Sequence, residues 1–140
     1  MEFTPDKITK LEDNEIFVFG SNIQGKHGSG AAKDAIKLFG AVYGKGIGLH
    51  GKSYAIPTKN MDTNTPLRIS VIREHVSAFL EFATNNPELK FYVTKIGCGL
   101  SKYKIDDIAP MFVRHPSNVI LSKEFTDCIN MVCQWGAWYE

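Results

Sequence analysis

The groups in this chain best suited to chemistry are backbone amides. In Phe17-Val18-Phe19-Gly20-Ser21-Asn22-Ile23-Gln24-Gly25-Lys26-His27-Gly28-Ser29-Gly30-Ala31-Ala32 an apolar run empties into a glycine-studded loop that leads into a helix-forming sequence. Glycines accept positive φ and carry no side chain, so N–H groups can curl around phosphate oxygens while the helix dipole adds partial positive charge. The pattern recurs: Phe91-Tyr92-Val93-Thr94-Lys95-Ile96 stops at Gly97-Cys98-Gly99-Leu100, and Ile105-Asp106-Asp107-Ile108-Ala109 begins a new helical period. Two amide loops at strand ends predict a diphosphate ligand. The spacing Gly25-x-x-Gly28-x-Gly30 is not a P-loop, which needs Gly-Lys-Ser/Thr, nor the dinucleotide fingerprint.

Other reactive side chains give weaker signals. His27 has no recognisable acid or base partner and is expected to be a solvated loop residue. Cys98, between two glycines, reads either as a thiolate activated at a helix N-terminus or, in the favoured reading, as a small packing residue. Cys128 and Cys133 lie about one turn apart but lack the ligand clusters of a zinc site, so neither metal nor cofactor is expected. Tyr43 and Tyr103 fall in expected loops near the glycine stretches, where a ring can stack on a base.

These loops need strands and helices to hold them. Residues 15–20 read as a strand buried on both faces, and 31–39 as a helix with Ala32, Ala35, Ile36 and Phe39 on one side, stopped by Gly40. Residues 43–52 are glycine-rich enough to predict a surface loop before a short strand at 53–57. Residues 60–66 are turn formers, and Ile69, Ile72, Val76, Phe79, Leu80 and Ala83 mark a helix over 67–84. A strand at 90–96, a short helix at 105–113 and a strand at 118–121 complete a β, α, β, α, β, α, β order. Such alternation predicts a mostly parallel sheet covered on both faces, with ligand beyond the strands' carboxyl ends. The tail from Lys123 has helical spacing at Phe125, Ile129, Val132 and Cys133, with Trp135, Trp138 and Tyr139 near its end.

Composition sets outer bounds. The 140 residues, 44% hydrophobic and 22% charged, fit one domain whose core needs no disulfide or metal. A net charge of +1 gives no global field for nucleic acid, although a local basic patch remains open. Three cysteines follow no disulfide framework, and residues 1–7 lack the build of a signal peptide, so a reducing cytoplasm is expected. No apolar run approaches the roughly 20 residues of a membrane span, and no membrane partner is expected.

Over residues 16–121 the chain resembles the macrodomain superfamily of ADP-ribose binders. Phe19-Gly20-Ser21-Asn22 followed by Gly28-Ser29-Gly30-Ala31-Ala32 is similar to that family's Asn-bearing first loop, which lies along the distal ribose. Ile96-Gly97-Cys98-Gly99-Leu100 is similar to its second loop, which wraps the diphosphate. Tyr54-Ala55-Ile56-Pro57-Thr58-Lys59 is most similar to the branch that removes terminal ADP-ribose from carboxylate side chains, where a lysine after such a strand attacks the anomeric carbon; Lys59 matches it. In that branch an Asp directly follows the Gly-Cys-Gly-Leu run and finishes the hydrolysis. Here Ser101 stands in that place, and Asp106 and Asp107 follow one turn further on. Residues 23–27 also lengthen the first loop relative to that branch.

The resemblance implies an α/β chain, a macrodomain-like three-layer α/β/α sandwich with a mixed, mainly parallel sheet, with residues 1–140 as its one domain. It implies a site for ADP-ribose or a related nucleotide diphosphate, free or carried on a protein or nucleic acid. Gly20, Ser21, Asn22, Gly28, Ser29, Gly30 and Ala31 would follow the ribose, and Gly97, Cys98, Gly99, Leu100 and Ser101 the diphosphate. Tyr103 is the candidate for the base, and Asn22 and Lys59 are the candidate catalytic residues. Three readings stand: hydrolysis of an ADP-ribosyl linkage, through Lys59 or through a bound water as the family implies; nucleotide binding without catalysis; and a structural or protein-interaction domain, which so many open glycines would weaken.

Overall fold

The structure, a computed structural model, describes residues 1–134. Strand β1 (Glu15–Asn22) is followed by helix α1 (Gly30–Phe39), strands β2 (Gly48–His50), β3 (Ser53–Asn60) and β4 (Thr65–Pro66), and helix α2 (Ile69–Asn85). Strand β5 (Lys90–Val93), helix α3 (Ile105–Ile108), a 3-10 turn (Ala109–Phe112), strand β6 (Val119–Ile120) and helix α4 (Lys123–Gln134) complete the order. The expected tail helix is therefore present to Gln134, whereas Trp135, Trp138 and Tyr139 lie outside the described residues. No helix among the described residues is long and apolar enough to cross a membrane.

Strands β1, β3, β5 and β6 are parallel, and the short β2 and β4 pair antiparallel with β3, so the sheet is mixed, in the order β2-β3-β1-β5-β6. Its centre is β1, whose alternating side chains feed two cores. Ile16 and Val18 pack with Ile72, Val76 and Phe79 of α2 and with Ile108, Phe112 and Phe125. Phe17 and Phe19 face Ala32, Ala35 and Phe39 of α1, together with Ile8 and Leu11. Helices thus cover both faces in three layers, which is why β1 is continuously apolar over Ile16–Phe19 rather than alternating.

Local chemistry accounts for most boundaries. Helix α1 ends where Gly40 turns left-handed (φ 78°), and its N–H bonds the Ala35 carbonyl. The expected helix at 105–113 is a single α turn that tightens into 3-10 geometry. Pro110 there lacks the N–H that an α-helix would use.

Several boundaries differ from expectation, the first being that strand β5, expected to reach Ile96, stops at Val93. Residues 48–50, expected as loop, form an edge strand, because β3 offers an open side to any chain laid along it. For the same reason Thr65–Pro66, within the expected turn, folds back antiparallel onto Lys59 and Asn60. Strand β3 runs three residues beyond its expected end at Pro57, which puts Lys59 inside the sheet.

The connectivity creates one crevice at the carboxyl ends. From β1 the chain crosses through α1 to β3 on one side, and from β5 it crosses through α3 to β6 on the other. Because β1 and β5 are neighbours whose continuations diverge, a crevice opens between their ends, the usual ligand position in open parallel sheets.

Candidate functional site

A cleft of about 750 Å³ occupies that gap. The first loop contributes Gly20, Ser21, Asn22, Lys26 and residues 28–32, the second contributes residues 94–97 and 99–101, and β3 contributes Thr58 and Lys59. The structure brings both expected loops and Lys59 to this cleft, and its fourth wall is residues 5–8, which no local sequence pattern marks. Thr4 places that segment by bonding through its N–H to the Leu121 carbonyl (2.8 Å) and through its hydroxyl to that of Ile120 (2.9 Å).

In the first loop the polar side chains are committed to shape. Asn22 donates from Nδ2 to the Lys26 carbonyl (2.9 Å) and accepts at Oδ1 from the Lys26 N–H (2.8 Å), closing residues 22–26 into a ring. Gln24 ties this ring to the end of β3, donating to Asn60 Oδ1 and accepting from the Met61 N–H, both at 2.9 Å. The buried Ser21 hydroxyl donates to the Gly46 carbonyl. The glycine-rich stretch at 43–48 is therefore not a free surface loop; it docks backbone to backbone on the first loop. A Cβ on Gly25 would lie 2.4 Å from the Gly44 carbonyl carbon, and one on Gly46 would lie 2.0 Å from the Asn22 carbonyl oxygen. These glycines exist for close approach.

His27, expected in solvent, is buried beneath this double loop at 4% exposure, edge-on to Phe19. Its Nε2 bonds the Lys45 carbonyl (3.1 Å), which requires the proton on Nε2 and leaves Nδ1 as a buried acceptor without a partner. Burial lowers its pKa below the usual histidine value, against the opposing pull of the Lys45 and Val42 carbonyls. The unfolded chain then binds the extra proton first. Stability is expected to fall as pH drops from about 7 towards 5 and to recover on return. Urea unfolding at both pH values should show a smaller fall for His27→Gln, and an identical fall would reject this assignment.

Helix α1 begins at the cleft without a side-chain cap from Ser29, so its first N–H groups remain available. A Cβ on Gly28 or Gly30 would meet nothing within 4 Å, and Gly30 has φ 60°. The Gly28 N–H is taken by the Lys26 carbonyl (3.1 Å), so the donors left at this end are the first N–H groups of the ten-residue helix, at its positive pole.

The second loop turns at Gly97 (φ 76°), pressed against Ile108, and then opens. No backbone carbonyl among the described residues accepts from the N–H of Gly99, Leu100 or Ser101, and Gly99 has free space where a side chain would stand. Ser101 is buried, donates its hydroxyl to the Thr58 carbonyl (2.9 Å) and shares a hydrogen bond with the Thr58 hydroxyl (2.9 Å). Cys98 does not line the cleft; it packs against the larger core, and burial pushes its thiol up to about 11, so it is no nucleophile at neutral pH. Tyr103 also lies outside the lining residues, packed on the same core with its hydroxyl donating to the Leu67 carbonyl. Tyr43 is exposed on the docked loop, away from the cleft lining.

Four lysines reach the cleft. Lys7 pairs with Asp34 (3.3 Å) and Lys95 with Glu124 (2.8 Å), whereas Lys26 and Lys59 pair with no carboxylate among the described residues. Lys59 sits beside Asn22 in the β1–β3 register, at the mouth of the first loop. The arrangement can hold an anion between two rows of amides with cationic side chains at its edge. Among the described residues, no group of three or more His, Cys, Asp or Glu could hold a metal ion. The chain matches no protein-family model, no curated protein and no solved structure.

Proposed function

We propose that the cleft binds ADP-ribose or a related nucleotide diphosphate, in the manner of the macrodomains that the loop sequences resemble. The observation that carries this reading is the pair of open amide loops at the adjoining carboxyl ends of β1 and β5. One loop has the uncapped N-terminus of α1 behind it; the other has three amides without backbone partners. Together they match the two charges of a diphosphate, and the cleft volume suits a nucleotide-sized ligand.

Calorimetric titration with ADP-ribose, ADP and NAD tests the proposal. The expected dissociation constant for ADP-ribose is micromolar to sub-millimolar, about −5 to −8 kcal/mol. No saturable heat at millimolar ADP-ribose would overturn it.

Turnover is the second part of the proposal. A deprotonated Lys59 amine facing the ligand attacks the anomeric carbon, and a carboxylate leaves with the bonding electrons. Water must then break the lysine adduct. Ser101 stands where a carboxylate would assist that water, and its hydroxyl is already donated to Thr58, so it supplies no base. Lys59→Ala is expected to slow ADP-ribose release from a carboxylate-linked substrate at least about tenfold, about 1.4 kcal/mol of barrier. An adduct on the wild-type protein would appear as a mass gain in intact-protein spectra. Unchanged release by the variant together with no adduct would reject the lysine route.

A non-catalytic binding module is the competing reading. It is favoured by the same Ser101–Thr58 bond, which leaves Ser101 unable to act as a base, and by the closure of the Asn22 amide on Lys26, which commits that side chain to loop shape. Binding without release in the two assays would select it.

A further inference from the structure

We infer that the surface beside the cleft, built on the docked loops, is a binding track for single-stranded nucleic acid. Charge is distributed unevenly in this chain. Between Ile16 and Met61 the ionised side chains are six lysines, at 26, 33, 37, 45, 52 and 59, against the single carboxylate of Asp34, although the whole chain carries only +1. Asp34 is already paired with Lys7, so it does not offset the others. Lys26, Lys45 and Lys59 pair with no carboxylate among the described residues.

The fold ties together the backbone segments that carry three of these lysines. Lys26 and Lys59 line the cleft. Lys45 joins them because the backbone at 44–45 lies directly on Gly25: the Gly44 N–H donates to the Gly25 carbonyl (2.9 Å), and the His27 ring bonds the Lys45 carbonyl. Lys59 is drawn to the same loop by its carbonyl, which accepts from the Ile23 N–H (3.0 Å). These lysines therefore belong to one hydrogen-bonded double loop at the cleft edge rather than to unrelated surface segments.

Next to Lys45 the same turn presents Tyr43, 66% exposed, with Val42 and Ile47 about half exposed. An exposed aromatic ring on the same turn as a lysine suits unpaired bases, which stack on it while phosphates follow the ammonium groups. A duplex hides those base faces, and the protruding element is a tight turn instead of a groove-filling helix, so the chemistry selects a single strand. An acidic peptide would satisfy the lysines but would leave the ring unused.

This inference does not depend on the cleft's ligand, and its test keeps the two separate. Anisotropy of a labelled single-stranded oligonucleotide of about ten residues is measured across a salt series. Saturable binding is expected, with a log–log salt slope of about −2, the value for three phosphate contacts. The double variant Y43A/K45E alters only exposed side chains outside the cleft. It is expected to weaken the oligonucleotide at least about tenfold while leaving the thermal midpoint and the nucleotide titration unchanged. Absence of saturable binding by the wild type, equal binding by the variant, or equal affinity for a polyglutamate peptide would each overturn the inference.

Discussion

Gly46→Ala is expected to lower stability by about 2–3 kcal/mol and to reduce nucleotide affinity more than tenfold, from a single added methyl group. The new Cβ would lie 2.0 Å from the Asn22 carbonyl oxygen and 3.0 Å from that of Ile23, both backbone atoms that no rotamer change can move. Relief requires the 43–48 stretch to lift from the first loop. That movement breaks the Ser21 to Gly46 hydrogen bond and uncovers His27. Gly44 supplies the control. It has φ 91° but free space around a Cβ, so Gly44→Ala carries backbone strain alone, about 1–2 kcal/mol, and should leave the loops docked. Denaturant unfolding with parallel titration measures both variants. If Gly46→Ala unfolds at the wild-type midpoint, the loops are not held as described.

Gly99→Val is expected to weaken nucleotide binding about a hundredfold, about 2.8 kcal/mol, while leaving the fold intact. A Cβ at Gly99 meets nothing within 4 Å and the residue does not need positive φ, so a valine there costs the folded chain little. Its branched side chain instead fills the space in which a phosphate must approach the amides of Gly99, Leu100 and Ser101. Gly30→Val is the poorer probe. Its φ of 60° adds strain to the start of α1, and lost binding could then follow from lost structure. A folded Gly99→Val protein that binds ADP-ribose normally would show that the second loop is no phosphate cradle.

The framework of this protein was legible because its signals are local. Continuous apolar character over 16–19 identifies a strand buried on both faces, the spacing of Ile72, Val76, Phe79 and Ala83 identifies α2, and Gly40 marks the end of α1. Alternating strands and helices then sufficed to put both glycine loops at the carboxyl edge of a parallel sheet. The charge imbalance over 16–61 was also readable in the sequence, but the net charge concealed it.

Only tertiary structure decided what the loop residues do. Strands β2 and β4 are too short to carry a periodic signal and form because β3 has open hydrogen-bonding groups. Gly25 and Gly46 look like any loop glycines until two segments some 20 residues apart are pressed together, and only then does His27 lose its solvent. Asn22 has the residue type of a ligand contact, yet its amide is closed on the Lys26 backbone. Cys98 and Tyr103 are drawn into the core beside the second loop, and residues 5–8 reach the cleft through an anchor on a strand more than 100 residues away. Periodicity and turn chemistry act over one or two turns of chain. A polar side chain's partners, and the space left for a ligand, exist only after distant backbone segments have paired.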